Sequence, residues 1–408
     1  MQRRHFLKGA AALLGAIPLH ALTAEPIADS DAGLLGSGVA PGPGPQPGAS
    51  AHLGNASREL FPIIASPDRI IEMNVCTRPF RLQGPRLEAE RIGRKDVVHN
   101  YGHGGSGWSL SWGSGLLATE MARNFGRNEI AVVGCGAIGL TTAVVAQQSG
   151  MKVTIYTKER PPYVASHRAT GSFTPDSRIC SAQYAPQFAA QWEMMARHSF
   201  RRFQSLLGVA GHPIEWRDMY SLSDVPPGTP RPPSRTLEPD YPNFERELLQ
   251  DITPRSVVVA SHPFPAPYVQ RRPALLFNIA EYTRALMTEF LINGGVIETF
   301  EMQDKRDFAA ISERTIINCT GYGARQLLTD DSIIPVRGQT AKLIPQPEVD
   351  YGFFYGGRQV SVYPRRDGML VQAQADTDYG DGSENLDPEE SISAVQRIAE
   401  IMAEMQQR

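Results

Sequence analysis

The sequence predicts an α/β fold containing a Rossmann-like dinucleotide-binding unit and more than one domain. Two observations carry this. A β-rich apolar run at Glu129–Val133 is followed by Gly134-Cys135-Gly136-Ala137-Ile138-Gly139, a helical stretch over Leu140–Ser149 and a second strand at Lys152–Tyr156. This is the strand, GxGxxG, helix, strand order of a βαβ unit. The chain also has 408 residues, 41% of them hydrophobic, enough for a core larger than one such unit.

The first elements in chain order are an address and a tether. Gln2-Arg3-Arg4-His5-Phe6-Leu7-Lys8, an apolar stretch from Ala10 to Leu22 and small residues near Ala24 resemble a twin-arginine export signal over residues 1–24. An ordinary secretory signal or an uncleaved anchor is the alternative. The expected partner is the twin-arginine export machinery, and the expected location is periplasmic or extracellular. Residues 25–59 include Pro41-Gly42-Pro43-Gly44-Pro45-Gln46-Pro47-Gly48, where proline removes N–H donors and glycine adds backbone entropy. A disordered linker is expected there, with the globular part starting near Leu60.

Composition excludes other classes. The formal net charge is −3 with no basic run, so no nucleic-acid partner is expected. No long apolar stretch follows the N-terminus, so no stable membrane span is expected. Cys76, Cys135, Cys180 and Cys319 form no CxxC pair and no zinc-spaced cluster. They read as small buried hydrophobes, and no metal is expected.

The βαβ unit states its own chemistry. Gly134 permits a tight turn, Gly136 lets backbone approach a pyrophosphate, and Gly139 lets helix and strand pack closely. Ala137 and Ile138 open the helix, whose N–H groups and positive dipole end suit phosphates. Glu159, twenty residues beyond Gly139, can accept ribose hydroxyls. The motif alone does not separate FAD from NAD.

Other segments do. Cys76-Thr77-Arg78-Pro79-Phe80-Arg81, Gly84-Pro85-Arg86-Leu87-Glu88 and Val98-His99-Asn100-Tyr101-Gly102-His103-Gly104-Gly105-Ser106-Gly107-Trp108-Ser109 precede the nucleotide motif. Arg168-Ala169-Thr170-Gly171-Ser172-Phe173-Thr174-Pro175, Ile316–Gly321, Arg337-Gly338-Gln339 and Tyr363–Gly368 follow it. Together they resemble the D-amino-acid oxidase family of FAD-dependent oxidoreductases. The resemblance implies an FAD-binding Rossmann-like domain and a second, substrate-binding domain built on a mixed or antiparallel sheet. It covers most of residues 69–408, but in an unusual order. The pieces over 76–109 come last in most members and first here, so the chain reads as a circular permutation. Residues 60–125 would be the transplanted segment, 126–175 the βαβ unit, 176–251 and 335–408 the substrate domain, and 252–334 the rest of the FAD domain. The strand of Arg78 is expected beside the 360–375 region, and the helix Pro388–Met405 is expected to end near Arg69.

Residue roles follow from the same resemblance. Glu159, Arg160, Ser166, Arg168, Thr170, Gly171 and Ser172 would join Gly134–Gly139 on the cofactor. Met302, Thr320 and Gly321 would close its site, and Gly104–Ser109 would lie along the flavin. The helix after Trp108 would stabilise charge on the reduced ring. Arg78 would pair with a substrate carboxylate, because a guanidinium fork matches carboxylate geometry. The Gly105 carbonyl would accept from the substrate amine. Tyr363 would cover the substrate, with Tyr355 as an alternative and Ser361 where tyrosine is more usual. His103 would be a supporting hydrogen-bonder.

The implied reaction is oxidative deamination of a D-amino acid, with hydride from Cα to flavin N5, hydrolysis of the imine to a 2-oxo acid and ammonia, and reoxidation by oxygen with peroxide release. The alternative is a periplasmic flavin dehydrogenase of related amines or imino acids using a quinone or cytochrome. A flavoprotein-like binding module without catalysis is a third reading. Outside the site, Met194, Met195, Phe200 and Phe203 read as core on a helix over Gln187–Leu207. Val225–Pro242 reads as a surface loop or lid, and Asp376, Asp378 and Asp381 as a solvated turn.

Overall fold

The computed structural model describes residues 60–229, 237–374 and 378–407. The export signal, the linker, part of the Pro-rich loop and Asp376 therefore lie outside the described residues.

In chain order the elements are β1 (Ile70–Arg81), β2 (Arg86–Ile92), β3 (Lys95–Tyr101), α1 (Gly107–Arg123), β4 (Glu129–Val133), α2 (Ala137–Gln148), β5 (Lys152–Thr157) and α3 (Ala185–Gln204). There follow β6 (Ile214–Ser223), α4 (Phe244–Leu248), β7 (Val257–Val258), β8 (Tyr268–Phe277), α5 (Ile279–Ile292), β9 (Val296–Thr299) and β10 (Thr315–Asn318). The last are α6 (Ala324–Leu328), β11 (Ile333–Leu343), β12 (Tyr351–Tyr355), β13 (Val360–Arg365), β14 (Gly368–Ala373) and α7 (Pro388–Gln406).

These strands form two sheets. The first runs β2-β3-β10-β4-β5-β9, parallel throughout except for the antiparallel edge strand β2. β4 is buried at four successive positions, as a central parallel strand covered on both faces requires. On one face Leu140, Val144, Ala118 and Phe290 from α2, α1 and α5 join Val98, Val132 and Ile155. On the other, Phe308, Ile311 and Leu327 cover Val97, Ala131, Val133 and Ile316.

The second sheet runs β1-β11-β14-β13-β12-β6-β8-β7 and is mixed, antiparallel but for the β12–β6 pair. α7 covers it with Ala394, Val395, Ile398, Ile401, Met402 and Met405, a helical stripe packed on Met369, Val371 and Val362. The fold class is thus the expected one.

Residues 60–125 do not pack apart. β1 joins the mixed sheet, β2 and β3 join the parallel sheet, and α1 packs on α2 and α3. Two expectations need correction. The strand of Arg78 pairs with β11, Arg78 opposite Val336, and not with residues 360–375. β14 takes the other edge of β11, so the expected neighbour is one strand further away. Met194 is 55% exposed while Met195 is 1% exposed, because adjacent helical residues point about 100° apart. Phe200 and Phe203 are buried as expected. α7 ends where expected: Met402 Sδ accepts from the Ile63 N–H at 3.2 Å, and the helix packs on the turn Pro67–Arg69. Among the described residues no helix is long and apolar enough to cross a membrane.

Candidate active site

Five parallel strands deliver most of the expected cofactor residues to one edge of their sheet. The carboxyl end of β3 leads into Gly102–Ser109, that of β4 into Gly134–Gly139, that of β5 into Glu159 and Arg160, that of β9 towards Met302, and that of β10 into Thr320 and Gly321. Ligands of open α/β sheets bind outside this edge.

The turn after β4 needs its glycines. Gly134 has φ +103°, and its N–H donates to the Tyr156 carbonyl at 2.8 Å. A Cβ there would stand 2.6 Å from the Cys319 carbonyl oxygen. A Cβ on Gly139 would collide with the Gly134 carbonyl, 2.8 Å from its carbon. Gly136 opens α2 without a side-chain cap of its own. The Ser166 hydroxyl takes the Ala137 N–H at 2.9 Å, and the Ser166 carbonyl takes the Trp108 indole N–H at 2.8 Å. Ser166 therefore ties the starts of α1 and α2 together.

The remaining members of this edge have defined partners. Glu159 is exposed just beyond β5, with its carbonyl accepting from the Thr157 hydroxyl at 2.6 Å. Arg160 donates to the Ile297 carbonyl at 3.0 Å. Met302 packs beside Tyr156 and Phe300 against the sheet core. Thr320 Oγ1 donates to Asn318 Oδ1 at 2.8 Å, and Gly321 has φ +57°. A glycine turn into the start of α2, whose Ala137 N–H is held by a hydroxyl from another loop, and an acid after the second strand fit a dinucleotide cofactor.

The glycine loop after β3 is shaped by its neighbours. The Gly104 N–H donates to the Pro79 carbonyl at 2.9 Å, which sets this loop beside the strand of Arg78. The Gly105 N–H and the Ser106 hydroxyl both donate to the Ser177 carbonyl, at 2.9 and 3.0 Å. A Cβ on Gly104 would stand 2.8 Å from the Arg178 carbonyl carbon, and one on Gly105 2.5 Å from Ser177 Oγ. Glycine at 104 and 105 is thus required by residues 177–178, whereas Gly107 faces open space at the start of α1. The Ser109 hydroxyl accepts from the Thr174 N–H at 2.9 Å. His103 Nε2 meets Ser114 Oγ at 2.7 Å in a buried chain that continues to Asn100. Burial pushes the His103 imidazole down to about 3, so it stays neutral.

A loop over 165–172 crosses from the parallel sheet to the mixed one. Arg168 Nη1 donates to the Val75 carbonyl at 3.1 Å in β1. Arg365 Nη1 donates to the Ala169 carbonyl, next to Thr170. Gly171 has φ +82°, its carbonyl accepts from the Phe277 N–H at 2.6 Å, and Ser172 bridges to Leu276.

Arg78 lies across β11. Its Nη1 donates to the Arg337 carbonyl at 2.7 Å, and its guanidinium covers Gly338 so closely that a Cβ there would stand 2.5 Å from Nη1 and 2.6 Å from Cζ. Tyr363 is within electrostatic range of Arg78, although burial raises its phenol. Tyr355 is engaged elsewhere, donating to Asp224 at 2.6 Å. Two other aromatics flank Phe80, with ring centroids 5.5 Å away for Tyr241 and 6.0 Å for Tyr379. They share no motif with Arg78, and sequence spacing gave no sign of them.

Asp378 requires a correction. It is not a solvated residue but 7% exposed. The Arg337 N–H donates to its carbonyl at 2.9 Å, pinning the turn to β11. Burial pushes its carboxyl up to about 6 against the pull of Arg78. Asp381 is partly exposed and accepts from the Ser383 N–H. Cys135, Cys180 and Cys319 are buried and free, and Cys76 is half-buried. Among the described residues no cluster can hold a metal ion.

The family model described as FAD dependent oxidoreductase matches residues 22–121 and 129–407. A D-amino-acid oxidase of Dictyostelium discoideum is 24% identical over 213 residues, 51% of this chain and 55% of that protein. A D-amino-acid oxidase of Streptomyces coelicolor is 26% identical over 287 residues, 68% of this chain and 78% of that protein. Among solved structures, glycine oxidase from Geobacillus kaustophilus gives a TM-score of 0.49 at 14% identity, covering 69% of this chain and 80% of that one. With the family model matched over most of its length, and a dinucleotide cradle at the expected strand ends, this chain belongs to the FAD-dependent oxidoreductases of the D-amino-acid oxidase family.

Proposed function

We propose that this enzyme oxidatively deaminates D-amino acids, with Arg78 as the anchor for the substrate carboxylate. The observation that carries this is the state of Arg78. Among the described residues its one hydrogen bond goes to a neutral carbonyl, and no carboxylate lies within ion-pair distance. A half-buried guanidinium lying across a strand without a direct ion pair among the described residues suits a planar anion. The Pro79–Gly104 bond sets the flavin loop beside it, so that a substrate held by its carboxylate at Arg78 would be next to that loop. The Gly105 carbonyl would accept from the amine, and Tyr363 would limit the space above. The bound FAD supplies the hydride acceptor, and the residues of this chain position the substrate and exclude water.

Two further proposals concern the whole chain. The permuted order is supported by β1 taking a place in the mixed sheet and β3 in the parallel sheet, and by the gap in the family match at 122–128, where the join Phe125–Asn128 lies. Export by the twin-arginine route to the periplasm is supported by Arg3-Arg4-His5-Phe6-Leu7-Lys8.

The test is turnover of a D-amino-acid panel by the FAD-loaded protein, with peroxide followed, in wild type and Arg78→Ala. Losing one partner of a desolvated charge pair costs about 2–5 kcal/mol. The expected fall in kcat/KM is therefore roughly 30-fold to several thousand-fold, with FAD still bound. Reduction of an artificial dye without peroxide would favour the dehydrogenase reading. Unchanged turnover in Arg78→Ala, or release of FAD, would remove Arg78 from the substrate site.

A further inference from the structure

The charges around Arg78 do not close on one another. Arg337 is satisfied by Glu390 at 3.0 Å and by Gln339 Oε1 at 2.6 Å. Arg178 is satisfied by Glu238 at 2.9 Å. Two opposite charges remain. Among the described residues Arg78 bonds only the Arg337 carbonyl. The Asp378 carboxylate, in a residue more than nine-tenths buried, makes no hydrogen bond and no ion pair within 4.0 Å among the described residues.

These two groups are neighbours across one strand. Val336, the register partner of Arg78, forms a bridge with Tyr379, and the Arg337 N–H holds the Asp378 carbonyl. Gly338 has no side chain, so the guanidinium of Arg78 reaches over β11 towards that edge. Of the charged groups acting on the Asp378 carboxyl, Arg78 comes first, followed by Glu390, Arg178 and Arg337. The carboxylate thus feels Arg78 without touching it.

A buried charge is costly unless paired, and two near but separated opposite charges are both left short. One ligand satisfies both at once: a zwitterion bearing carboxylate and ammonium on the same carbon. A simple carboxylate would satisfy Arg78 but meet repulsion from Asp378. The geometry points to Asp378 as the group that receives the ammonium of an α-amino acid whose carboxylate lies on Arg78, so that the site selects zwitterions over plain carboxylates. This rests on the assignment of Arg78 made under Proposed function.

The test uses calorimetric titration of the FAD-loaded protein with 2-aminoisobutyrate, which has no Cα hydrogen to lose, and with isobutyrate, its deamino analogue. Wild type should bind the amino acid more tightly. Asp378→Asn should weaken 2-aminoisobutyrate binding by about ten- to a hundred-fold, the range for a lost hydrogen bond to a charged group. The same substitution should strengthen isobutyrate binding. Opposite signs for the two ligands are what a mere counter-ion of Arg78 would not produce. Asp378→Glu should restore part of the preference, and unchanged FAD content checks the fold of each variant. If both ligands shift in the same direction, or neither shifts, the assignment of Asp378 is wrong while that of Arg78 stands. If Arg78→Ala leaves isobutyrate binding intact, the anchor itself falls and the assignment of Asp378 falls with it.

Discussion

Arg78 is held in place by something that is missing at position 338. The guanidinium occupies the volume a β-carbon would need, with Nη1 and Cζ 2.5 and 2.6 Å from it. The obstacle is the far end of a flexible side chain, so Gly338→Ala should fold and keep FAD. Arg78 would have to leave the Arg337 carbonyl. We expect KM for D-amino acids to rise about tenfold or more, the effect of losing roughly 1.4 kcal/mol or more of anchoring, with a smaller change in kcat. Steady-state kinetics and flavin absorbance check both parts, and an unchanged KM would show that the overlay of Arg78 on Gly338 is not the anchoring pose. The sequence singled out Arg78 through its motif. Gly338 was visible only as the middle of Arg337-Gly338-Gln339, without a role. Asp378 was misread because acids interspersed with Gly380 and Gly382 have the composition of a hydrated turn. Its burial comes from pairing with the edge of β11, which local composition does not encode.

Among the elements, the β4–turn–α2 unit was the most legible, because its constraint is local. Gly134 and Gly139 lie five residues apart and touch each other, so their spacing alone reports the packing. A methyl group on Gly139 must push the helix start off the Gly134 carbonyl, and that is backbone that cannot rotate away. Gly139→Ala should therefore cost about 1–3 kcal/mol as overpacking and loosen FAD by tenfold or more. A fluorescence titration with FAD and a melting curve measure the two effects, and a variant with wild-type affinity would mean that the cofactor does not rest on this helix start. α3 was placed closely by its apolar spacing, yet Met194 faces out while Met195 is buried. The apolar pair gave no indication of which member lay on the inner face. The glycine loop after β3 shows the opposite limit. Gly104 and Gly105 are required by Ser177 and Arg178, more than seventy residues away in the chain, so no local reading of the loop exposes the reason.

At the scale of the whole molecule, chain order and spatial order are separable. The end of α7 lies beside Ile63 and the turn Pro67–Arg69, so a short link from Gln407 to Leu60 should be tolerated. A chain rearranged to start at Asn128, run through that link and end at Asn124 should bind FAD and melt within a few degrees of wild type. An insoluble or FAD-free product would argue that the present order is needed to fold. Separately, replacing Arg3 and Arg4 by lysine should retain the precursor in the cytoplasm, judged by fractionation, while continued secretion would point to another route. By itself the sequence determined the βαβ unit, the class of cofactor and the amphipathic helices, and it singled out Arg78 by its motif. Each is written in local spacing or in a short motif, where the physics acts between residues a few positions apart. Only the tertiary structure decided that β11 separates the strand of Arg78 from residues 360–375, that residues 177–178 fill the glycine loop, and that Asp378 is buried near Arg78. Those facts depend on strand pairing and desolvation between segments far apart in the chain, and such contacts leave no periodicity in it.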